Sequence, residues 1–268
     1  MQNVVYWIGV KNPNPHMNDK HGGFKYLDVS RKTWEWWCNK NNVAFVPYEL
    51  DNYKPFHEGT KVTWQRWFDM KKVITEKGID PNWIWAIDGS SMIKWDAPAP
   101  WEDKKLDSKI VYAHRSLENL FWITEGIDGY KDLFSVDFDL TKYLCTGNVL
   151  LNKDNYSFLS DLEIFFLTNR EKIMYLENEK IKRGTDQPVF NYFVQDNKIP
   201  FSVDTLNPKF MLTHLNRFHW LSHNWNTQNT TPFFIKYGWF WLFSGFPTRG
   251  DRYELMSKTW DLIKHNYE

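Results

Sequence analysis

WIWAIDGSSMI, residues 83–93, opens with an apolar run that Asp88, Gly89 and Ser90 close. A short apolar run bounded by a turn signal reads as a strand buried on both faces, as in the middle of a parallel sheet. In open sheets of that class the carboxyl ends of the strands face the ligand crevice. Asp88 is therefore the first candidate functional residue.

Working outward, the first half of the chain alternates strand-like apolar runs with helix-like periodic ones, the pattern of crossover helices on a mostly parallel sheet. Strands are expected over residues 4–10, 42–48, 109–114 and 143–152. Ser30 reads as the N-cap of a helix through Trp34, Trp37 and Cys38. Residues 63–76 carry Trp64, Trp67, Val73 and Ile74 at helical spacing, and Gly78 is a C-terminal stop. After the Pro-rich loop 96–100, further helices are expected from about Ser116, from Asp154 as cap to about Asn178, and from Thr185. A last helix over 251–266 aligns Tyr253, Met256, Trp260 and Ile263. No repeat, low-complexity tract or linker splits the sequence, so the expectation is one domain over residues 1–268, with a mixed, mostly parallel α/β sheet flanked by helices.

Composition excludes several classes. With 42% hydrophobic and 25% charged residues the chain is globular rather than disordered. The 16 Trp, 13 Tyr and 20 Phe are too many to sit outside the core, although some suit stacking on a nucleobase or sugar. Lys+Arg and Asp+Glu both number 33, so no global field attracts a polyanion, while a local basic patch stays open. Cys38 and Cys145 are far apart in apolar segments, as buried thiols in a reducing cytosol would be. MQNVVYWIGV lacks a basic leader, and residues 238–246, the most apolar stretch, are far short of the roughly 20 that span a bilayer. The expected location is the cytoplasm, with no membrane partner.

Four segments taken together resemble the GT-A glycosyltransferases, above all the retaining group with glycogenin and the lipopolysaccharide galactosyltransferases. WIWAIDGSS (residues 83–91) is similar to the strand ending in a DxD motif, CTGNVLLN (145–152) to an N-S-G-V-x-x-I/L-N segment, GTDQPVFNY (184–192) to a D-Q-x-x-x-N helix start, and WLFSG (241–245) with Arg249 to an H-F-x-G segment with its nearby Lys. Residues 92–98 and 246–267 also resemble glycosyltransferase-like proteins of large tailed phages, some of which put sugars on hydroxymethylated pyrimidines in their own DNA.

The resemblance implies a nucleoside-diphosphate sugar as donor and an acceptor hydroxyl, with phage DNA among the acceptors. It implies Asp186 and Gln187 beside the reacting sugar carbon and Asp88 at the diphosphate. Donor binding would draw on Trp7, Gly9, Val10, Arg31, Asp88, Ser90, Asn148 and Arg249, and acceptor binding on Asn191, Lys182 and Arg183. A divalent cation, manganese or magnesium, offsets the charge that develops on a leaving diphosphate. Here Ser90 stands at the second DxD carboxylate and Leu242 at the histidine, so three readings stay open. Asp88 holds the metal with other groups, such as His219 and His223 one helical turn apart within a cluster that includes His214. Alternatively Arg249, Lys94 or Arg183 replaces the metal, or the chain is a non-catalytic nucleotide-sugar or DNA-binding module. A sugar nucleotidyltransferase is a further alternative, but residues 11–15, KNPNP, are unlike its G-x-G-T-R loop.

Overall fold

A computed structural model describes residues 1–11, 23–49, 59–103, 106–115, 120–134, 137–181, 186–195, 202–210, 231–244 and 249–268. Eight strands lie among them: β1 (Gln2–Ile8), β2 (Ala44–Tyr48), β3 (Pro81–Asp88), β4 (Ser91–Ile93), β5 (Ile110–Arg115), β6 (Leu144–Asn152), β7 (Ser202–Thr205) and β8 (Phe240–Leu242). The described helices are α1 (Lys25–Lys40), α2 (Val62–Glu76), α3 (Pro100–Asp103), α4 (Leu120–Tyr130), α5 (Tyr156–Thr168), α6 (Arg170–Tyr175), α7 (Asp186–Gln195), α8 (Phe233–Tyr237) and α9 (Arg249–Ile263).

The chain forms two compact units. The first comprises Met1–Gln2, Lys54–Trp85 and Leu106–Thr205, and the second comprises Asn3–Tyr53, Ala86–Lys105 and Leu206–Glu268. In the second unit the order of hydrogen-bonded strands is β2-β1-β3, with β1 and β2 parallel, and β4 pairs with β8 in a separate antiparallel ribbon. In the first the order is β3-β6-β5-β7, β5 running antiparallel to β6 and parallel to β7. This is the mixed α/β sheet the sequence predicts. All nine residues of β6 are buried, which is why LCTGNVLLN is apolar without alternation.

The aromatic surplus is core, as composition suggests. Seven tryptophans, Trp7, Trp34, Trp37, Trp64, Trp67, Trp85 and Trp241, are fully buried. A buried indole N–H left without an acceptor costs about 1–3 kcal/mol, and each of the seven has one. In the second unit Trp7 donates to Ser30 Oγ, Trp34 to Ser91 Oγ, Trp37 to the Ala97 carbonyl and Trp241 to the Phe234 carbonyl. In the first unit Trp64 donates to Glu177, Trp67 to Asp186 and Trp85 to Asn148.

Several expected boundaries move. β1 stops at Ile8, leaving Gly9 and Val10 outside the strand. Ser30 is not the N-cap of α1, which begins at Lys25 after Phe24; Ser30 lies inside the helix because its hydroxyl is the acceptor for Trp7. The helix expected after residue 116 is seen from Leu120. The long helix expected over 154–178 is interrupted. Asn152, not Asp154, caps its first 3₁₀ turn, and at Asn169 the side-chain amide and backbone N–H both turn back to the Phe165 carbonyl, ending α5. A π-turn, Leu176–Lys180, follows α6. Gly78 does stop α2, with φ +69° that a larger residue would rarely adopt. Both cysteines are free and buried, and burial pushes the Cys38 thiol far up.

Candidate active site

In the second unit β3 ends in a tight turn. Asp88 is half-buried, and its Oδ1 accepts from the Ser90 backbone N–H and from Ser90 Oγ, both at 2.8 Å. This is an Asx-type turn, in which the carboxylate mimics a backbone carbonyl. Both of these bonds fall on Oδ1, so Oδ2 has no hydrogen-bond partner among the described residues. Gly89 brings the turn against β1: its N–H donates to the Ile8 carbonyl at 2.8 Å. A Cβ at Gly89 would lie 2.5 Å from that carbonyl oxygen, 2.8 Å from Leu27 Cδ2 and 3.0 Å from Gly9 Cα. Close backbone approach therefore demands glycine.

The first and fourth sequence segments meet here. Ser91 pairs opposite Leu242 across β4 and β8, and Phe243 N–H donates to the Ser90 carbonyl at 2.7 Å. That juxtaposition also tests the cation. Leu242 offers no donor atom, Ser90 spends its hydroxyl on Asp88, and among the described residues no three His, Cys, Asp or Glu side chains group to hold a metal. These residues do not fit a metal site with three protein ligands. His214, His219 and His223 lie outside the described residues, as do Lys182 and Arg183 and the side chain of Arg249.

The other donor-side candidates of this unit are engaged. Trp7 is 1% exposed, bonded to Ser30, and its ring fills the space a Cβ on Gly9 would need, 2.0 Å away. Such a ring is core rather than a stacking platform. Gly9 is buried and donates to the Tyr48 carbonyl at 3.1 Å, while Val10 is half-buried. Arg31 binds Glu35 at 2.6 Å and Glu49 at 2.9 Å on the surface; the hydrogen bond from Glu35 raises its already high pKa. Lys94 pairs with Asp96 at 3.1 Å. Arg252, on the first turns of α9, stacks its guanidinium on Tyr26 at 4.8 Å, and its Nε is buried without a hydrogen bond.

In the first unit the second and third segments also meet. Asn191 Oδ1 accepts from Leu144 N–H at 2.6 Å, and Nδ2 donates to the Leu144 carbonyl at 2.8 Å and to the Gln187 carbonyl at 2.9 Å. Its amide thus continues the β6 hydrogen-bond ladder and locks α7 onto the strand. One turn earlier, Gln187 Oε1 accepts from Thr146 N–H at 3.1 Å, and Nε2 donates to Tyr143 Oη at 3.3 Å. Burial pushes the Tyr143 phenol up and keeps it protonated. Asn148, 0% exposed, accepts from Trp85 at 2.6 Å.

Asp186 is 2% exposed; its Oδ2 accepts from Arg66 Nη2 at 2.6 Å and from Trp67 Nε1 at 2.8 Å. Arg66, itself 3% exposed, lies over the Trp67 ring at 4.8 Å. Nearby, Glu177 in the π-turn accepts from Trp64 at 2.7 Å and faces Lys61 at 3.6 Å. Burial nevertheless pushes the Glu177 carboxyl up, and the charge of Asp186 adds to the shift. Tyr130 Oη, raised by burial and by the charges of Glu177 and Asp186, is buried without a hydrogen bond. Sequence reasoning missed Arg66, Glu177 and Tyr130. A signal existed for Arg66: a cation flanked by Gln65 and Trp67 in an apolar helix stripe must find a buried acid.

No protein-family model matches the sequence, and no curated protein matches it. Solved structures do match. The chain is similar to a glycosyltransferase involved in glycosylation of the major capsid of PBCV-1, with TM-score 0.54, 13% identity, and 95% of this chain and 98% of that one covered. It is also similar to the apo structure of the bifunctional glycosyltransferase WbbM, with TM-score 0.51 and 13% identity over 100% of this chain and 52% of that one. The galactosyltransferase LgtC, in complex with donor and acceptor sugar analogues, aligns at TM-score 0.49 and 13% identity over 94% and 95% of the two chains. The chain has the α/β fold of the GT-A glycosyltransferases.

Proposed function

We propose that residues 1–268 act as one glycosyltransferase domain in the cytoplasm, the host's where the gene is phage-borne, moving a sugar from a nucleoside diphosphate to an acceptor hydroxyl. One observation carries the reading. The Asp88 turn presents a half-buried carboxylate with one uncommitted oxygen at the carboxyl end of β3, on a glycosyltransferase-like fold.

In the reaction the bond between the anomeric carbon and the phosphate oxygen breaks, its electron pair leaving with the nucleoside diphosphate. The acceptor oxygen bonds to that carbon and releases its proton. The protein's task is to hold the reactants and stabilise the charge on the leaving group. In the second unit Asp88 and Ser90 organise the end of the donor, with the backbone at Gly9 and Val10 alongside and Trp7 holding that backbone in place. Arg249, with Arg31 as a further cation, offsets the diphosphate charge. Because the described residues do not fit a metal site, no step is routed through a cation.

In the first unit Gln187 is the residue offered to the sugar, and Asp186 with Arg66 fixes the helix that carries it. Asn148 and Asn191 shape the wall behind. Lys182 and Arg183 are assigned to the acceptor, and a hydroxymethylated pyrimidine in DNA is the acceptor to try first.

A thermal-shift screen of nucleoside diphosphates and their sugars, followed by donor hydrolysis assayed with manganese and after EDTA, tests this reading. Turnover lost in Asp88→Ala supports it. A second reading, a non-catalytic nucleotide-sugar or DNA-binding module, is favoured by Ser90 and Leu242 at two ligand positions. Tight nucleotide binding with no turnover under any condition would establish the module instead. Incubating the donor with DNA, with and without hydroxymethylated pyrimidines, tests the acceptor.

A further inference from the structure

Within the first unit, α2 and α5 pack through Trp64, Phe68 and Phe166, and beside this contact their outer sides leave an open groove of about 420 Å³. Phe68, Tyr156 and Leu159 contribute its apolar lining. The same stripe of α5 continues onto the surface: Ile164 is 62% exposed and Leu167 43% exposed, one turn beyond the groove-lining Ser160 and Glu163. Large apolar side chains exposed beside an apolar groove mark an interaction surface rather than a solvated helix face.

The charges say which partner fits. The α2 wall carries Lys71 and Lys72, while α5 carries Glu163 in the groove and the exposed Asp161 beside it. We propose that this face joins two copies of the chain in a twofold dimer. A twofold axis that lays α5 against its mate puts the Ile164 and Leu167 ridge of each copy toward the groove of the other, and sets each acidic edge against the other's lysines. The complementarity is then satisfied twice with one surface. The present partner of Lys72, Glu76 at 3.9 Å with both side chains 63% exposed, is an ion pair readily exchanged. A net charge of zero leaves no global repulsion between copies.

Sedimentation of the purified chain across a concentration series tests the dimer independently of any catalytic assignment. The wild type is expected to shift from monomer to dimer with concentration. The double substitution Ile164→Asp, Leu167→Asp, on exposed positions, should weaken dimerisation by roughly a hundredfold or more without lowering the melting temperature. Lys71→Glu with Lys72→Glu should weaken it less, and adding Asp161→Lys with Glu163→Lys should restore it. A monomer at every concentration, a dimer indifferent to the α5 double substitution, or a charge swap without rescue overturns the proposal.

Discussion

Asp88 and Asp186 are the same side chain, one closing a strand and the other opening a helix, and the fold gives them opposite surroundings. Asp88 is half-buried and bonded only to the residue two positions on, through one of its oxygens. Asp186 is 2% exposed and clamped by a buried guanidinium and an indole N–H from α2. A carboxylate held by its own turn keeps an oxygen for a ligand; one neutralising a buried arginine is committed to the protein. The comparison teaches that commitment to partners, more than residue type, separates a candidate ligand group from a scaffold group.

The largest effect that can break this comparison is on stability. Asp186→Ala strands Arg66 as a buried unpaired charge and should cost about 3–5 kcal/mol, read by urea denaturation. Replacing the pair together, Arg66→Met with Asp186→Leu, should recover most of that loss. If Asp186→Ala unfolds no more easily than wild type, the clamp is not what holds α7.

Asp88→Ala should behave in the opposite way. Stability should change by less than about 1 kcal/mol, the value of one local hydrogen bond, while sugar transfer falls by roughly a hundredfold or more. Equal losses of stability in the two variants would erase the distinction. Gly89→Ala sharpens it further: the added methyl meets backbone at 2.5 Å and 3.0 Å, so a cost of about 1–3 kcal/mol should come with weakened nucleotide binding, measured by thermal shift with and without ligand.

The smallest effect concerns pH. Burial holds the Glu177 carboxyl above its ordinary value of 4.5, so the folded protein keeps a proton that the unfolded chain releases. That contribution to stability is fully present below pH 4.5 and is lost as pH rises through the higher folded value. Glu177→Gln removes the titration, so its stability should decline less than the wild type's between pH 4.5 and neutrality. Identical pH profiles by urea titration would show that Lys61 and Trp64 offset the burial completely.

Much of the fold was legible because it rests on local pattern. The apolar runs of β3 and β6, the stop at Gly78 and the alternation of strands with helices need only neighbouring residues to be read. Ser30 was misread for the converse reason: a hydroxyl looks like a cap until Trp7, 23 positions away, is seen to bond it. Asn191 and Asn148 likewise look like ligand groups, and in the fold they complete a strand edge and satisfy an indole.

By itself, the sequence determined that this chain folds as an α/β sheet with aromatic cores, and that Asp88 closes a buried strand, since hydrophobic period and turn chemistry act over a few residues. Only the tertiary structure decided which polar side chains are spent inside. A buried hydrogen bond or ion pair joins residues far apart in the chain, 120 positions for Arg66 and Asp186, and no local pattern encodes the distance between them.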